Sequence, residues 1–383
     1  MRIALVHSFY SSTQPSGENA VVRAQAEVLV DAGHDVHIVT AYTDELEKSA
    51  AYPARAAWRV ATGKGASPSA ELELLRPDVV HIHNLFPNFG HSWMEKWPGA
   101  IVQTLHNFRT VCAAGTLFRD GHACEECPTS GSLAAVQHRC YRGSAVSTAP
   151  LALATRGGGR HSTQLVRPER VVVLSERSRE TISRLAGPEL ADRLRVVPNF
   201  APPQAQTPTS EERDAWVYAG RLAPEKGIAQ LLEAWPHELP LDVLGSGPDL
   251  DACRSASANK DIRLLGQVSP DAVPSHLGQS RGLVFPSKWA EGMPTIYLEA
   301  LLAGVPTLAL RGNAVADDVA ASGTGIVIGS MEEAGSAAAA VELDREALSS
   351  SARRRHESAF LPSLWAASME AIYGEALASR KAR

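Results

Sequence analysis

The sequence predicts two doubly wound α/β domains in succession, each built on a parallel sheet. Three observations carry that reading. The chain has 383 residues, more than one hydrophobic core usually supports. Short β-branched runs alternate with helical stretches along most of its length, the pattern of strand-helix-strand units. A Pro-rich, polar, aperiodic stretch from Ala201 to Glu212 interrupts the alternation, which then restarts.

Taken in order, Ile3 to Val6 reads as a buried strand, followed by a polar loop from Ser8 to Ser16. A helix is expected from Glu18 to Ala32, with Val21, Ala24, Val28 and Leu29 on its apolar face and Gly33 as its C-cap. Further strands are expected at 36–39, 79–82, 101–104 and 171–174. Beyond the break they recur at 216–218, 241–244, 262–265, 282–285, 306–310 and 325–328. Leu361 to Leu377 carries Leu364, Met369, Ile372 and Leu377 at helical spacing, so a last amphipathic helix is expected there. The domains are therefore 1–200, a linker over 201–212, 213–360, and a terminal helix over 361–383 packing back on the first domain. In open α/β sheets ligands bind beyond the carboxyl ends of the strands, so a cleft lined by those ends of both sheets is expected.

Composition excludes some functions. Lys and Arg number 37 against 42 Asp and Glu, a net charge of -5, and a nucleic-acid binder needs a clustered positive field instead. The opening run Met1 to Val6 is too short for a signal-peptide core, and no stretch is long and apolar enough to span a bilayer. A cytoplasmic enzyme is the expectation.

The segment from Phe285 to Pro306 is the most informative. A strand ends at Pro286, a loop containing Gly292 follows, and Pro294 falls where a first helical residue is favoured, just before Thr295. The backbone N–H groups of Gly292 and Met293, backed by the helix dipole, suit a phosphate. Glu291 and Glu299 flank them, and carboxylates accept hydrogen bonds from sugar and ribose hydroxyls. Spacing alone also fits a capped helix with a stabilising glutamate. In the loop after an earlier strand, Gly220 precedes Arg221, and Lys226 follows five residues on; two cations so placed can clamp a diphosphate. Gly245 and Gly247 follow another strand, where glycine lets a backbone approach a ligand.

These motifs together resemble glycosyltransferase family 4, retaining enzymes of the GT-B fold, in which two Rossmann-like domains face a deep cleft. The resemblance covers most of the chain. It includes the opening strand and Gly17 loop, Arg76 to His83, Thr104 to Asn107, Val197 to Asn199, Gly220-Arg221 with Lys226-Gly227, and the two glutamates. It implies that Arg221 and Lys226 hold the donor pyrophosphate, Glu291 contacts the transferred sugar, Glu299 holds the ribose hydroxyls, and His106 is the active-site histidine. Two departures stand out: Ser16-Gly17-Glu18 replaces paired glycines, and Asn107 replaces the usual acid after the histidine.

The implied reaction moves a sugar from a nucleotide-diphosphate donor, UDP-linked by expectation, with retention of configuration. No nucleophile stands near His106 in the sequence, so front-face attack is expected. The cations and the helix N-terminus supply charge that a metal supplies elsewhere; Asp317-Asp318 is a poor chelate, so no catalytic cofactor is expected. The acceptor, unidentified, is expected on the first domain at Glu18, Asn84, Asn88, Phe89 and Asn107. Arg142, Arg156, Arg160, His161 and Arg167 form a basic stretch that fits an anionic acceptor, a membrane surface or plain solvation. A nucleotide-sugar epimerase of the same fold and a non-catalytic nucleotide-sugar binder are the competing functions.

Four of the five cysteines, Cys112, Cys124, Cys127 and Cys140, crowd an insertion over about 108–142. A structural zinc is expected there, with two disulfides or free thiols as alternatives. Cys253 stands apart as a small buried apolar residue.

Overall fold

The computed structural model describes residues 1–12, 17–201 and 214–382. Ser16 and all of the expected linker except Ala201 lie outside the described residues. Two compact units are present: Met1–Leu117 with Cys124–Pro198 and Ser363–Arg383, and Asn199–Pro362 with Phe118–Ala123.

The first unit is built on β1 (Arg2–Phe9), β2 (Asp35–Tyr42), β3 (Val79–Asn84), β4 (Ala100–Leu105), β7 (Arg170–Val173) and β8 (Leu194–Val196). A two-residue hairpin, β5 (Phe118–Arg119) with β6 (His122–Ala123), sits within the cysteine-bearing insertion. The sheet order is β2-β1-β3-β4-β7-β8, and every pairing is parallel. β4 is buried along its whole length, as a parallel strand covered on both faces must be. Its residues Ala100 to Leu105 read as a nearly unbroken apolar run for the same reason.

The second unit holds β9 (Trp216–Ala219), β10 (Leu241–Leu244), β11 (Ile262–Gly266), β12 (Gly282–Phe285), β13 (Thr307–Leu310) and β14 (Gly325–Ile328). Its order is β11-β10-β9-β12-β13-β14, again all parallel. Counted from its own first strand this is 3-2-1-4-5-6, the dinucleotide-fold order, whose strand order reverses between β9 and β12. Its core gathers Trp216, Trp235, Leu231, Leu308 and Cys253, so Cys253 is the small core residue expected.

All eleven expected sheet strands are present. The sequence reading missed β8, three residues long, and the hairpin, because neither is long enough to show alternation. Two boundaries shift slightly. The first helix runs Gly17–Asp31, and Pro294 precedes the helix Thr295–Ala303 as its extended N-cap rather than its first residue.

The terminal helix, Pro362–Lys381, belongs to the first unit from Ser363 on; its Trp365, Met369, Ile372 and Tyr373 are buried, and Tyr373 Oη bonds to His81 of β3. Leu364, expected on its apolar face, is 41% exposed. Glu375 pins the helix by accepting from Arg170 Nε at 2.6 Å and Arg195 Nη2 at 2.7 Å.

Candidate active site

In the second unit the candidate residues converge on the reversal point of the sheet. The loop after β9 carries Gly220 to Gly227, and the loop after β12 carries Pro286 to Pro294. Lys288 N donates to Glu225 O at 2.9 Å and fastens the two loops together. Gly227 is required by that approach: it has φ +70, and a Cβ there would stand 2.4 Å from Pro286 O. This places the Lys226 ammonium beside the Glu291 carboxylate, Nζ to Oε1 2.6 Å, over the Trp289 ring at 5.3 Å.

Glu291 is 5% exposed, and Ser287 Oγ donates to the same Oε1 at 2.5 Å. A buried carboxylate is tolerable only when paired and hydrogen-bonded, and here it has both partners. Ser287 was missed by sequence reasoning although it lies inside the quoted segment, because a serine two residues after a strand carries no signal by itself. Asn313 Nδ2 fixes that loop by donating to Ser287 O at 2.8 Å.

Glu299 is different. It lies half-buried on the helix Thr295–Ala303, and burial alone pushes its carboxyl up to about 7. Among the described residues it has no ionic partner, so it offers two acceptor oxygens. Arg221 is largely exposed and reaches Glu225 Oε1 only at 3.9 Å. Lys226 is thus held on Glu291, while the Arg221 side chain stays largely exposed. Met293 is buried with its carbonyl accepting from Asn199 Nδ2 at 3.3 Å, while Gly292 keeps partial exposure.

Gly245 and Gly247 have a reason that the sequence did not disclose. A Cβ at Gly245 would stand 1.9 Å from Gly220 O, and one at Gly247 would stand 2.2 Å from Leu222 O. Close approach of the protein's own strand-end loops demands both glycines. Asp318 accepts from Tyr297 Oη at 2.7 Å and pairs with Arg355, so it serves the scaffold.

In the first unit a row of histidines lines the carboxyl ends of the central strands. His7 lies near the end of β1 within its buried run, His81 and His83 lie on β3, and His106 follows β4. The β1–β3 register shifts between Val6 and His7, which aligns His7 with Asn84. His81 is a core residue, bonded through Nδ1 to Tyr373 Oη and through Nε2 to Thr104 Oγ1, both at 2.8 Å. His83 Nδ1 meets His106 Nε2 at 3.0 Å, with the rings stacked at 5.3 Å. Burial holds the ring of His7 down at about 4, and those of His81 and His106 at about 3.

Glu18, in the first turn of its helix, has Oε1 closed off without a hydrogen-bond partner. Burial raises its carboxyl to about 7, against the opposing pull of Arg109 and a hydrogen bond with Asn84. Arg109 itself was not foreseen: its guanidinium lies 4.4 Å from the Phe86 ring and 5.7 Å from that of Tyr141, a pairing hidden by sequence separation. Asn107 Oδ1 accepts from Arg109 N at 2.9 Å and shapes that turn.

Asn88 and Arg167 are taken up by the scaffold, while Phe89 is half-buried. Asn88 is 1% exposed; its Nδ2 donates to Ala41 O and Thr43 Oγ1, and its Oδ1 accepts from Tyr52 Oη at 2.7 Å. Phe89 packs on the core that contains Trp93 and Met94. Arg167 leaves the basic stretch, because it pairs with Glu169 and donates to Trp97 O and Gly99 O. A loop's sequence cannot show which of its polar groups face inward.

No disulfide joins any of the five cysteines, all of which are among the described residues. Cys127 and Cys140 pack into one alanine-rich cluster with Ala113. Burial, then the neighbouring Cys112 and Cys140, pushes the Cys127 thiol up to about 11. Among the described residues no three His, Cys, Asp or Glu side chains are arranged to hold a metal ion. No helix among the described residues is long and apolar enough to cross a membrane.

Two parallel-sheet units, the second with a lysine-glutamate pair at its reversal point, are the architecture of the GT-B class. The chain belongs to the glycosyltransferases of family 4 and group 1: residues 15–204 match Glycosyltransferase Family 4, and residues 203–358 match Glycosyl transferases group 1. Among solved structures it is similar to sucrose-phosphate synthase from Thermosynechococcus elongatus (TM-score 0.70, 15% identity, 99% of each chain). It is also similar to the Anabaena protein HepE solved with UDP-glucose (TM-score 0.60, 13% identity, 99% of this chain and 100% of that one). A GDP-mannose-dependent phosphatidylinositol monomannoside mannosyltransferase of Mycobacterium tuberculosis is 28% identical over 153 residues, covering 35% of this chain and 40% of that protein. An exopolysaccharide phosphotransferase of Streptomyces coelicolor is 28% identical over 166 residues, covering 40% of this chain and 17% of the relative. The matches thus span less than half the length of these two relatives.

Proposed function

We propose that this glycosyltransferase transfers a sugar from a nucleotide-diphosphate donor, with retention of configuration and without a catalytic metal, to an acceptor held by the first unit. One observation carries the donor assignment: Lys226 and Glu291 are fastened as an ion pair at the reversal point of β9 and β12. That is where a doubly wound sheet takes a nucleotide. An incoming diphosphate competes for Lys226, and Glu291, with Ser287 still bonded to it, turns to the sugar hydroxyls. Glu299 then accepts from the ribose hydroxyls. Arg221 swings from its exposed position onto the diphosphate, and the departing phosphate charge is neutralised by fixed cations and by the helix Thr295–Ala303 behind them.

Retention follows from front-face attack, in which the leaving phosphate takes the proton of the acceptor hydroxyl as the new glycosidic bond forms. HepE, with UDP and UDP-glucose in its structures, and the GDP-mannose-dependent mycobacterial enzyme guide the choice of donors.

The test incubates the full chain with UDP-glucose, UDP-galactose or GDP-mannose, with EDTA, across saccharide and lipid-linked acceptors. Nucleotide release is followed together with the mass and anomeric configuration of the product. Acceptor-dependent release with a retained anomer supports the reading. An epimerised free nucleotide sugar, inversion, or activity lost to EDTA and restored by Mn²⁺ overturns the corresponding part.

A further inference from the structure

We propose that His83 is a positioning residue that fixes His106 in one neutral tautomer, so that His106 offers an Nδ1–H donor, and no basic nitrogen, to the ligand beside it. The proposal rests on the reading above only in giving His106 a ligand to face.

The argument is an accounting of protons. One proton lies between His83 Nδ1 and His106 Nε2, which are 3.0 Å apart. The other nitrogen of His83, Nε2, is buried and meets no partner. If His106 Nε2 donated, a neutral His83 would have to carry its own proton on Nε2, as a buried N–H with nowhere to donate. Such a group loses its full hydration, whereas a buried lone pair left alone is the lesser penalty and the commoner sight. His83 therefore carries its proton on Nδ1 and donates it, and His106 accepts at Nε2. A neutral imidazole has one N–H, so the proton of His106 must be on Nδ1, the nitrogen turned away from His83.

His7 repeats the pattern at the next strand: its Nε2 faces Asn19 Oδ1 at 2.9 Å and its Nδ1 is buried without a partner. The whole row is kept uncharged. His83 is held well below the ordinary histidine range by burial, then by His81, His106 and His7, and His106 is held low by burial and by His7. Each ring that takes a proton would face its neighbours across β1, β3 and β4. A donor that cannot charge suits a sugar hydroxyl or carbonyl oxygen. It would be a poor general base at neutral pH, because its accepting lone pair already belongs to His83.

The experiment uses the full chain labelled with ¹⁵N-histidine and long-range ¹H–¹⁵N correlation, with His106→Gln and His83→Asn identifying the signals. In the wild type, Nδ1 of His106 should be protonated and Nε2 bare, unchanged from pH 8 to pH 5. A protonated Nε2, or titration near pH 6.5, overturns the proposal. His83→Asn keeps a side-chain N–H near the lost Nδ1 and should preserve the His106 tautomer, with turnover within a few-fold. His83→Leu removes the donor, so His106 should show both tautomers and lose at least tenfold in turnover, while burial and His7 still keep it uncharged to pH 5. An unchanged His106 tautomer signal in His83→Leu also overturns it. Should His83→Leu fail to fold, the wild-type and His83→Asn spectra decide. The spectra need no substrate, so absence of sugar transfer would refute the functional reading while leaving this test intact.

Discussion

At the residue scale the Lys226–Glu291 pair dominates, because each partner makes the burial of the other tolerable. Lys226→Ala leaves Glu291 with Ser287 alone. It should weaken binding of free UDP or GDP about tenfold to hundredfold, the ~1.5–3 kcal/mol of a charge-assisted contact; calorimetry on both nucleotides checks it. Glu291→Gln should spare nucleotide affinity and lower turnover, whereas Glu299→Gln should weaken the nucleotide, and the reverse pattern would exchange their roles. The positions of Glu291, Arg221, Lys226 and His106 were legible because each follows a strand at a loop the motifs mark, and that of Glu299 because it stands on the helix after such a loop. Ser287, Arg109 and His7 were not, because their roles come from partners that only the fold supplies. Asn88 shows the opposite failure: a polar loop residue whose amide is wholly consumed by Ala41, Thr43 and Tyr52.

At the element scale, the carboxyl ends of β1, β3 and β4 hold rings that resist protonation. In the unfolded chain each takes a proton near 6.5; folded, His7 waits until about 4 and His81 until about 3. Below pH 6.5 the unfolded state therefore binds more protons, and stability falls as pH falls. By pH 5 the deficit is about 2 kcal/mol for each of these two fully buried rings. Glu18 and Glu299, whose carboxyls burial raises to about 7, take up protons in the fold over the same window and oppose this trend, so the test uses the Glu18→Gln, Glu299→Gln chain: its melting temperature should hold level above pH 7 and drop steeply between pH 6.5 and 5. A flat profile in that background would show the rings titrating normally in the fold. The loop after β10 makes a second test. Gly245→Ala places a methyl against Gly220 O, where nothing flexible can yield, so expressed protein should be markedly less stable with nucleotide absent. The strands themselves were legible from apolar runs. What their end loops do to one another was not, since loop-to-loop contact leaves no periodic trace.

At the scale of the whole molecule, the last helix belongs to the first unit. Tyr373 is fully buried and bonded to His81. Tyr373→Ala should cost ~3–5 kcal/mol by truncating a large core side chain. Hydrogen exchange should then quicken in β3 and β4 and leave β9, β10 and β12 unchanged; uniform quickening would mean that the two units melt as one. The doubly wound class was readable because strand-helix alternation survives any loop. The strand order was not, because order is fixed by pairings between segments distant in sequence. A chain leaves the ribosome in sequence order, and domains ordinarily mature in that order too. Here the first unit lacks its closing helix until residues 363–381 have been made. The second unit's sheet can therefore mature first, and the nascent β3 and β4 must keep an apolar face covered by other means for most of the time of synthesis.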